Sequence, residues 1–330
     1  MPMENPTAAL MELASNFVVP KCLHVVAELG VADALGDEPR DAAQLASAVG
    51  ANPEALNRAL RLLCAYGIFQ AHSGGYAHTE ASRLLRSDHP HSMRSYVRWI
   101  GSEFDWKTIG LLEHSIRTGK PSVNLVAPEG AWKYLANNPQ LSRVFDDAMT
   151  GRAFGVIAGI VANYDFSSFR TIGDIGGGKG HLLKAVLETV PGAKGILFDQ
   201  PHVVEPVTNR MNGRLEVQGG DFFKSTLPIC DAYLIMQVIH DWNDKESIAI
   251  LSAIRRAAPP HAKLLMVEGL LPEHSGPSWM KMLDIFMLAL LDGKERTRRD
   301  FEALLTASGF RLERAIDIGM EVAILEASVI

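Results

Sequence analysis

The sequence predicts an α/β protein, a mostly parallel sheet ending in an antiparallel hairpin, with a helical domain in front of it. Three observations predict this. From Arg170 onward, short apolar runs alternate with helical periodicity, the pattern of parallel strands joined by crossover helices. Asp174-Ile-Gly176-Gly-Gly178-Lys-Gly180 lies directly behind one such run, Thr171 to Ile175, and opens onto the helical stretch His181 to Val190. That strand–glycine loop–helix order is the context of a nucleotide-binding loop. Up to about residue 95, by contrast, the periodicity is helical, with room for one small hairpin.

Taken in order, Ala8 to Leu35 carries apolar residues at helical spacing, broken at Pro20 and Gly30. Asp41 to Val49 is a short helix with an acidic start. Asn52 caps the next helix, with Pro53 at its first position and Leu56, Leu60 and Leu63 on its core face. Ile68 to Ala71 and Tyr76 to Thr79, joined through Ser73-Gly74-Gly75, read as a two-stranded wing, and the whole resembles a winged helix. Met93 to Tyr164 is helical again, interrupted by a loop from Pro121 to Gly130. Strands are expected at Thr171–Gly176, Ala193–Asp199, Leu215–Gly219, Ala232–Ile239, Lys263–Gly269, Phe310–Ile318 and Val322–Ser328. Only a turn separates the last two, too little for a parallel crossover, so they form a hairpin. The expected division is 1–95, a helical connector 96–164 and the sheet domain 165–330.

Composition narrows the function. The 330 residues are 47% hydrophobic and 21% charged, with a net charge of −6, which does not advertise nucleic acid or anionic membrane as a partner. Cys22, Cys64 and Cys230 are scattered and odd in number, which argues against a disulfide framework and a zinc site; no metal is expected. The start, Met1-Pro-Met-Glu-Asn5, lacks the basic and apolar regions of a signal peptide. Met282 to Leu291 reads as a buried helix, and no segment is expected to span a bilayer. A cytoplasmic location follows as an expectation.

The glycine spacing selects the ligand. A dinucleotide loop has G-x-G-x-x-G, and here the third position holds His181 counted from Gly176, or Leu183 counted from Gly178. The pattern present, D-x-G-x-G-x-G, resembles the first motif of class I S-adenosylmethionine (SAM) methyltransferases. Asp199, about twenty residues on at the end of the second strand, is placed to accept both ribose hydroxyls. Gly220-Asp221-Phe222 ends the third strand, with an acid for the adenine amino group and a ring to stack on the base. Singly, these are a solvated Asp and a core Phe. Three such groups at three successive strand ends, where open parallel sheets bind ligands, make SAM the expected cofactor.

Chemistry is expected at the next strand ends. The fourth strand delivers His240-Asp241-Trp242, the fifth delivers Glu268, and Glu295 lies in Gly293-Lys-Glu-Arg-Thr297, before a helix that Thr297 caps with Asp300. A His backed by carboxylates is the arrangement of a general base, since the carboxylate fixes the tautomer and stabilises the imidazolium. The alternatives are a structural His, an Asp241 that serves only the turn, and a Glu295 that only pairs Arg296 or Arg298. Methyl transfer to a hydroxyl suits this set. The protein has to align acceptor oxygen, methyl carbon and sulfur and remove one proton. A phenol (pKa near 10) facing an imidazole (near 6.5) makes full prior transfer uphill by about 5 kcal/mol, so transfer coupled to attack is favoured. An aliphatic alcohol is far harder. Trp132, Phe145, Met149 and Phe286, with Asp241, are candidates to line an apolar pocket, although aromatics and Met at helical spacing also serve simply as core.

With these residues placed, nearly the whole chain resembles the small-molecule O-methyltransferases that include plant caffeic-acid and bacterial antibiotic- and pigment-tailoring enzymes. Leu13 to Pro20 through Ala32-Asp33 resembles the family's dimerisation helices, and Asp174–Gly180, Phe198-Asp-Gln-Pro-His202, Gly220-Asp-Phe-Phe223, His240-Asp-Trp242, Val267-Glu268 and Gly293–Thr297 follow its core motifs in order. The resemblance implies a class I, Rossmann-like fold behind a winged-helix dimerisation domain. It also implies a homodimer, with His240 as base flanked by Glu268 and Glu295. Asp174, Gly176, Gly178, Asp199, Gln200, Asp221 and Phe222 would bind SAM, with S-adenosylhomocysteine as product. Three positions depart from the pattern: Met236 replaces a common Lys, Asp292 the first Gly of a pair, and Phe222 a commoner Met.

Besides a nicotinamide dehydrogenase, which His181 at the third glycine position weakens, two other classes compete. Relatives of this fold also use SAM for hydroxylation, decarboxylation or pericyclic chemistry, against which the intact His240, Glu268 and Glu295 argue. A DNA-binding regulator is the other. Residues 1–95 carry seven Lys/Arg against ten Asp/Glu, and the would-be recognition helix has only Arg58 and Arg61, a poor set for phosphate contacts. The expected function is therefore methylation of a phenolic or enolic hydroxyl on a small aromatic secondary metabolite.

Overall fold

The computed structural model describes residues 5–207 and 211–330, so most of the Met1–Asn5 segment read for a signal peptide lies outside the described residues. The chain partitions into two compact units, residues 1–110 with 132–154, and residues 111–131 with 155–330. The stretch 96–164, set apart in the sequence as a connector, is shared between them, and its last helix, Pro139–Asn163, runs from one unit into the other.

In the first unit, helices Val18–Leu29, Val31–Leu35, Ala42–Val49 and Pro53–Ala65 pack with a hairpin of strands β1 (Phe69–His72) and β2 (Gly75–His78). Val26, Leu35, Leu45, Leu60, Leu63 and Phe69 form the core between them. The expected cap at Asn52 is present, its Oδ1 accepting from Ala55 N at 3.0 Å, and Asp41, read only as an acidic helix start, makes a reciprocal capping box with Gln44. Pro20 does not break the first helical region where the sequence suggested. It sits in the first turn of Val18–Leu29, where a missing N–H costs nothing. Pro6–Leu29 therefore runs on as a 24-residue helical stretch of mean hydropathy 1.2, only 6% buried. This corrects the expectation that no segment has the length and composition to cross a membrane.

The second unit holds a seven-stranded sheet. Its strands are β3 (Thr171–Ile175), β4 (Lys194–Asp199), β5 (Leu215–Gly219), β6 (Ala232–Met236), β7 (Lys263–Gly269), β8 (Phe310–Asp317) and β9 (Val322–Val329), in the order β5-β4-β3-β6-β7-β9-β8. The first five are parallel, while β9 runs antiparallel to β7 and pairs with β8 as the expected hairpin. Period-two alternation splits the core into two layers. Leu234, Leu265 and Val267 face one set of helices with Leu183, Val186 and Leu187. Tyr233, Ile235, Leu264 and Met266 face the other, with Ile250, Ile254, Phe301 and Leu305. The chain leaves β3 towards β5 and returns to β6 on β3's other side. The strand order reverses there, which is where open α/β sheets take their ligands.

Two local readings change. Trp279–Leu290 is a half-buried helix, where the sequence read a buried one at Met282–Leu291. It buries Met280, Leu283 and Met287 on one face and exposes Met282 and Ile285 on the other. Strand β6 stops at Met236 instead of Ile239, because Gln237 adopts a left-handed conformation at φ 52°.

Candidate functional site

The glycine loop is built on glycine's freedom at two kinds of position. Gly176, Gly178 and Gly180 all have positive φ, which a side chain would strain. Gly177 does not, but a Cβ there would stand 2.4 Å from the Asp174 carboxyl and 2.6 Å from Leu197. The loop is tied to the next strand end. Gly176 N donates to Phe198 O at 2.8 Å, and Gly178 N to Asp199 Oδ2 at 2.8 Å. Gln200 N donates to the other Asp199 oxygen at 2.6 Å, while Gln200 itself is exposed at the cap of a short helix. Asp199 is thus a buttress of the loop as well as an acceptor at its rim, a link the sequence did not reveal.

Burial holds the Asp199 carboxyl above its ordinary pKa, and burial together with Asp199's charge pushes Asp174 up to about 7. Asp174 Oδ2 is buried and has no hydrogen-bond partner among the described residues. Two carboxyls crowded beneath a loop open on its outer side suit a ligand that brings positive charge, as the sulfonium and ammonium of SAM do. Asp221 opens the next rim. Its partial burial is outweighed by hydrogen bonds from Phe223 N (2.9 Å) and Lys224, which hold its pKa low. Phe222 packs edge-on against Phe223 and Trp242, with centroids 4.9 and 5.8 Å apart, so the ring beside Asp221 is braced by the residue that follows His240-Asp241.

His240 stands on a short 3-10 turn, Ile239–Asp241, after β6. Its Nδ1 and Glu295 Oε1 are 2.7 Å apart, both side chains buried, and Nε2 lies 3.4 Å from Asp241 Oδ1. Glu295 reaches it because Gly293 has no side chain: a Cβ there would stand 2.0 Å from His240 O. Lys294 N donates to that same carbonyl at 2.9 Å, and Asp284 Oδ1 accepts from Glu295 N at 2.9 Å. Burial lowers the His240 pKa, but Asp241, the bond to Glu295 and the charge of Glu268 outweigh it and push it up to about 9.

Glu268 is placed differently from the flanking role expected of it. Its Oε1 accepts from Val238 N (3.1 Å) and Ile239 N (2.8 Å), so it holds the backbone ahead of His240 and acts on the ring only through charge. Burial pushes its pKa up to about 7. The left-handed Gln237 makes this grip possible, turning two successive N–H groups towards one carboxylate as in an anion-binding nest.

Residues missed in the sequence complete the turn. Arg296 is fully buried and bonds Ile239 O (3.0 Å) and Trp242 O (2.8 Å), and Asp292, a departure from the family pattern, accepts from Asn243 Nδ2 at 2.8 Å. Nothing in an Arg flanked by Glu and Thr marks it as buried. The pocket candidates fall in different units. Trp132 and Phe145 meet edge-on at 5.8 Å in the first, beside Trp99, with Met149 one turn further along the same helix. Phe286 lies half-buried on Trp279–Leu290 in the second.

The model of the O-methyltransferase domain matches residues 110–311, and that of the O-methyltransferase dimerisation domain matches residues 11–88. The chain belongs to the O-methyltransferase family. This O-methyltransferase is 38% identical to phenazine O-methyltransferase PhzM of Lysobacter antibioticus, over 97% of its own length and 96% of the relative's. Among solved structures it is similar to LaPhzM, with a TM-score of 0.92 and 38% identity over 99% and 100% of the two chains. It is also similar to NcsB1 from neocarzinostatin biosynthesis, solved with SAM and 2-hydroxy-5-methyl naphthoic acid, at TM-score 0.79 and 32% identity over 94% and 96%. Relatives include N-methyltransferases. The protein is thus a SAM-dependent methyltransferase of the secondary-metabolite type.

Proposed function

We propose that the enzyme methylates a phenolic or enolic hydroxyl of a small aromatic secondary metabolite, with His240 as general base. One observation carries this reading: the buried 2.7 Å bond between His240 Nδ1 and Glu295, which fixes the proton on Nδ1 and leaves Nε2 to take the acceptor's proton. SAM, when bound, supplies a methyl group already activated on a sulfonium. Asp199 would accept from the ribose hydroxyls and Asp221 from the adenine amino group, Phe222 would stack on the base, and the loop residues Asp174, Gly176 and Gly178, with Gln200, would hold the rest. Glu295 orients the ring and stabilises the imidazolium, and Glu268 holds the turn that presents it. Phe286 and Asp241, in the same unit as His240, contact the acceptor. A neutral amine acceptor gives up no proton before attack, so a buried His–Glu pair favours the hydroxyl over the N-methylation known among the relatives. The exposed apolar face of the N-terminal helices, with Leu10, Leu13 and Phe17 at 60% exposure or more, supports a homodimer in which a second copy covers it.

The test is transfer of a labelled methyl group from SAM to a panel of phenols, catechols, hydroxynaphthoates and hydroxyphenazines. Label is expected on an aromatic oxygen, and His240→Ala is expected to lose about 10²–10⁴-fold in turnover, the scale of general-base catalysis, while still binding SAM. Wild-type turnover in that variant would remove the base from His240.

A further inference from the structure

The geometry points to Arg296 as a positioning residue for His240, a guanidinium that sets where the imidazole sits by gripping the backbone on both sides of it. All five of its N–H donors are used. Nη1 bonds Ile239 O (3.0 Å) and Lys294 O (3.4 Å), while Nη2 bonds Trp242 O (2.8 Å) and Ser247 Oγ (3.3 Å). Asp244 Oδ1 takes Nε at 3.0 Å and Nη2 at 2.9 Å, and is the counter-ion at the solvent edge. The carbonyls of residues 239 and 242 bracket His240. From the opposite side, Glu268 holds the N–H groups of residues 238 and 239. The peptide units around Ile239 are therefore fixed at the N–H by a carboxylate and at the C=O by a guanidinium, each bond charge-assisted and stronger than a neutral one. Glu295 and Arg296 are consecutive, so one dipeptide sets both the tautomer of the ring and the height of its backbone. A Lys cannot substitute. It has three donors on one atom and no planar fork to span two carbonyls.

This inference rests on His240 being the base, and the experiment keeps the two apart. Histidine-labelled protein is titrated by ¹⁵N NMR, with the His240 signal assigned by its loss in His240→Ala. SAM affinity is measured by calorimetry, and turnover on the aromatic panel. Arg296→Lys is expected to fold and to bind SAM with wild-type affinity. Its His240 signal should titrate at lower pH with a mixture of tautomers, and turnover should fall about 10–100-fold, the cost of a misplaced reacting group. In the His240→Ala background the same change should cost nothing more, because residues acting as a unit are not additive. Asp244→Asn, which leaves an acceptor but removes the charge, should move the His240 titration in the same direction by less, and it decides the matter if Arg296→Lys does not fold. An unchanged His240 titration in the folded variants, or additive losses in the double variant, would overturn the role of Arg296. Full turnover in His240→Ala would remove the base reading alone, since the NMR result stands without it.

Discussion

His240 is charged by its neighbours in spite of its burial. With its pKa at about 9, the ring carries its proton at neutral pH and can accept one only above that range. The kcat/KM for the methyl acceptor should therefore rise tenfold per pH unit up to about 9 and then level off. Glu295→Gln tests the cause. The amide oxygen still accepts from Nδ1–H, so the tautomer is kept, but the negative charge that stabilised the imidazolium is gone. The sign is fixed: a less stabilised cation has a lower pKa, so the rising limb should move down by about one pH unit or more, with a lower plateau. A limb left at 9 would mean that Asp241 and Glu268 alone hold the proton. The residues of this pair were legible because a His at one strand end and a Glu in a Gly-x-Glu segment are typed by chemistry. The role of Glu268 was not legible. Whether a carboxylate meets a ring or a backbone amide depends on a single left-handed residue, Gln237, and any side chain type is read as extended until seen otherwise.

At the scale of the element, the turn after β6 matters more than the strand. The apolar run Ala232–Ile239 reads as eight residues of strand, yet pairing with β7 ends at Met236–Val267. The last three residues, Gln237, Val238 and Ile239, are spent on a turn that Glu268 and Arg296 close. Periodicity cannot mark that ending, since Val238 and Ile239 are as β-prone as the residues before them. Glu268→Ala would strand the N–H groups of residues 238 and 239 in a buried place, at about 1–3 kcal/mol each, and denaturant unfolding should show a loss on that scale. Glu268→Gln keeps the accepting oxygen and should unfold near wild type. If the two variants lost equal stability, the charge and not the hydrogen bonds would be holding the turn. Helix boundaries fared better than this strand end because caps are local: Asp41, Asn52 and Thr297 each bond the backbone amide three residues on.

At the scale of the whole molecule, the parallel strands and the closing hairpin were legible, since only a turn separates the last two strands, while the order β5-β4-β3-β6-β7-β9-β8 was not read from the sequence. The two interleaved units were not legible either, because nothing local tells residues 111–131 and 132–154 to join different cores. The N-terminal helices pose the remaining question. Pro6–Leu29 is apolar enough to enter a bilayer, yet it carries Glu12, Lys21 and Glu28, and its exposed residues Leu13 and Phe17 lie within the segment matched by the dimerisation domain. A soluble chain rarely leaves so large an apolar face bare, and a second copy presenting the same face would cover it by two-fold symmetry. Sedimentation of the purified enzyme should therefore give a dimer. Leu13→Glu with Phe17→Glu, both on a surface with no core role, should give a monomer whose sheet domain still binds SAM. A wild-type chain that sediments as a monomer and pellets with phospholipid vesicles would assign the helix to a membrane instead, because only a lipid-seeking face stays bare at high protein concentration and is covered by lipid.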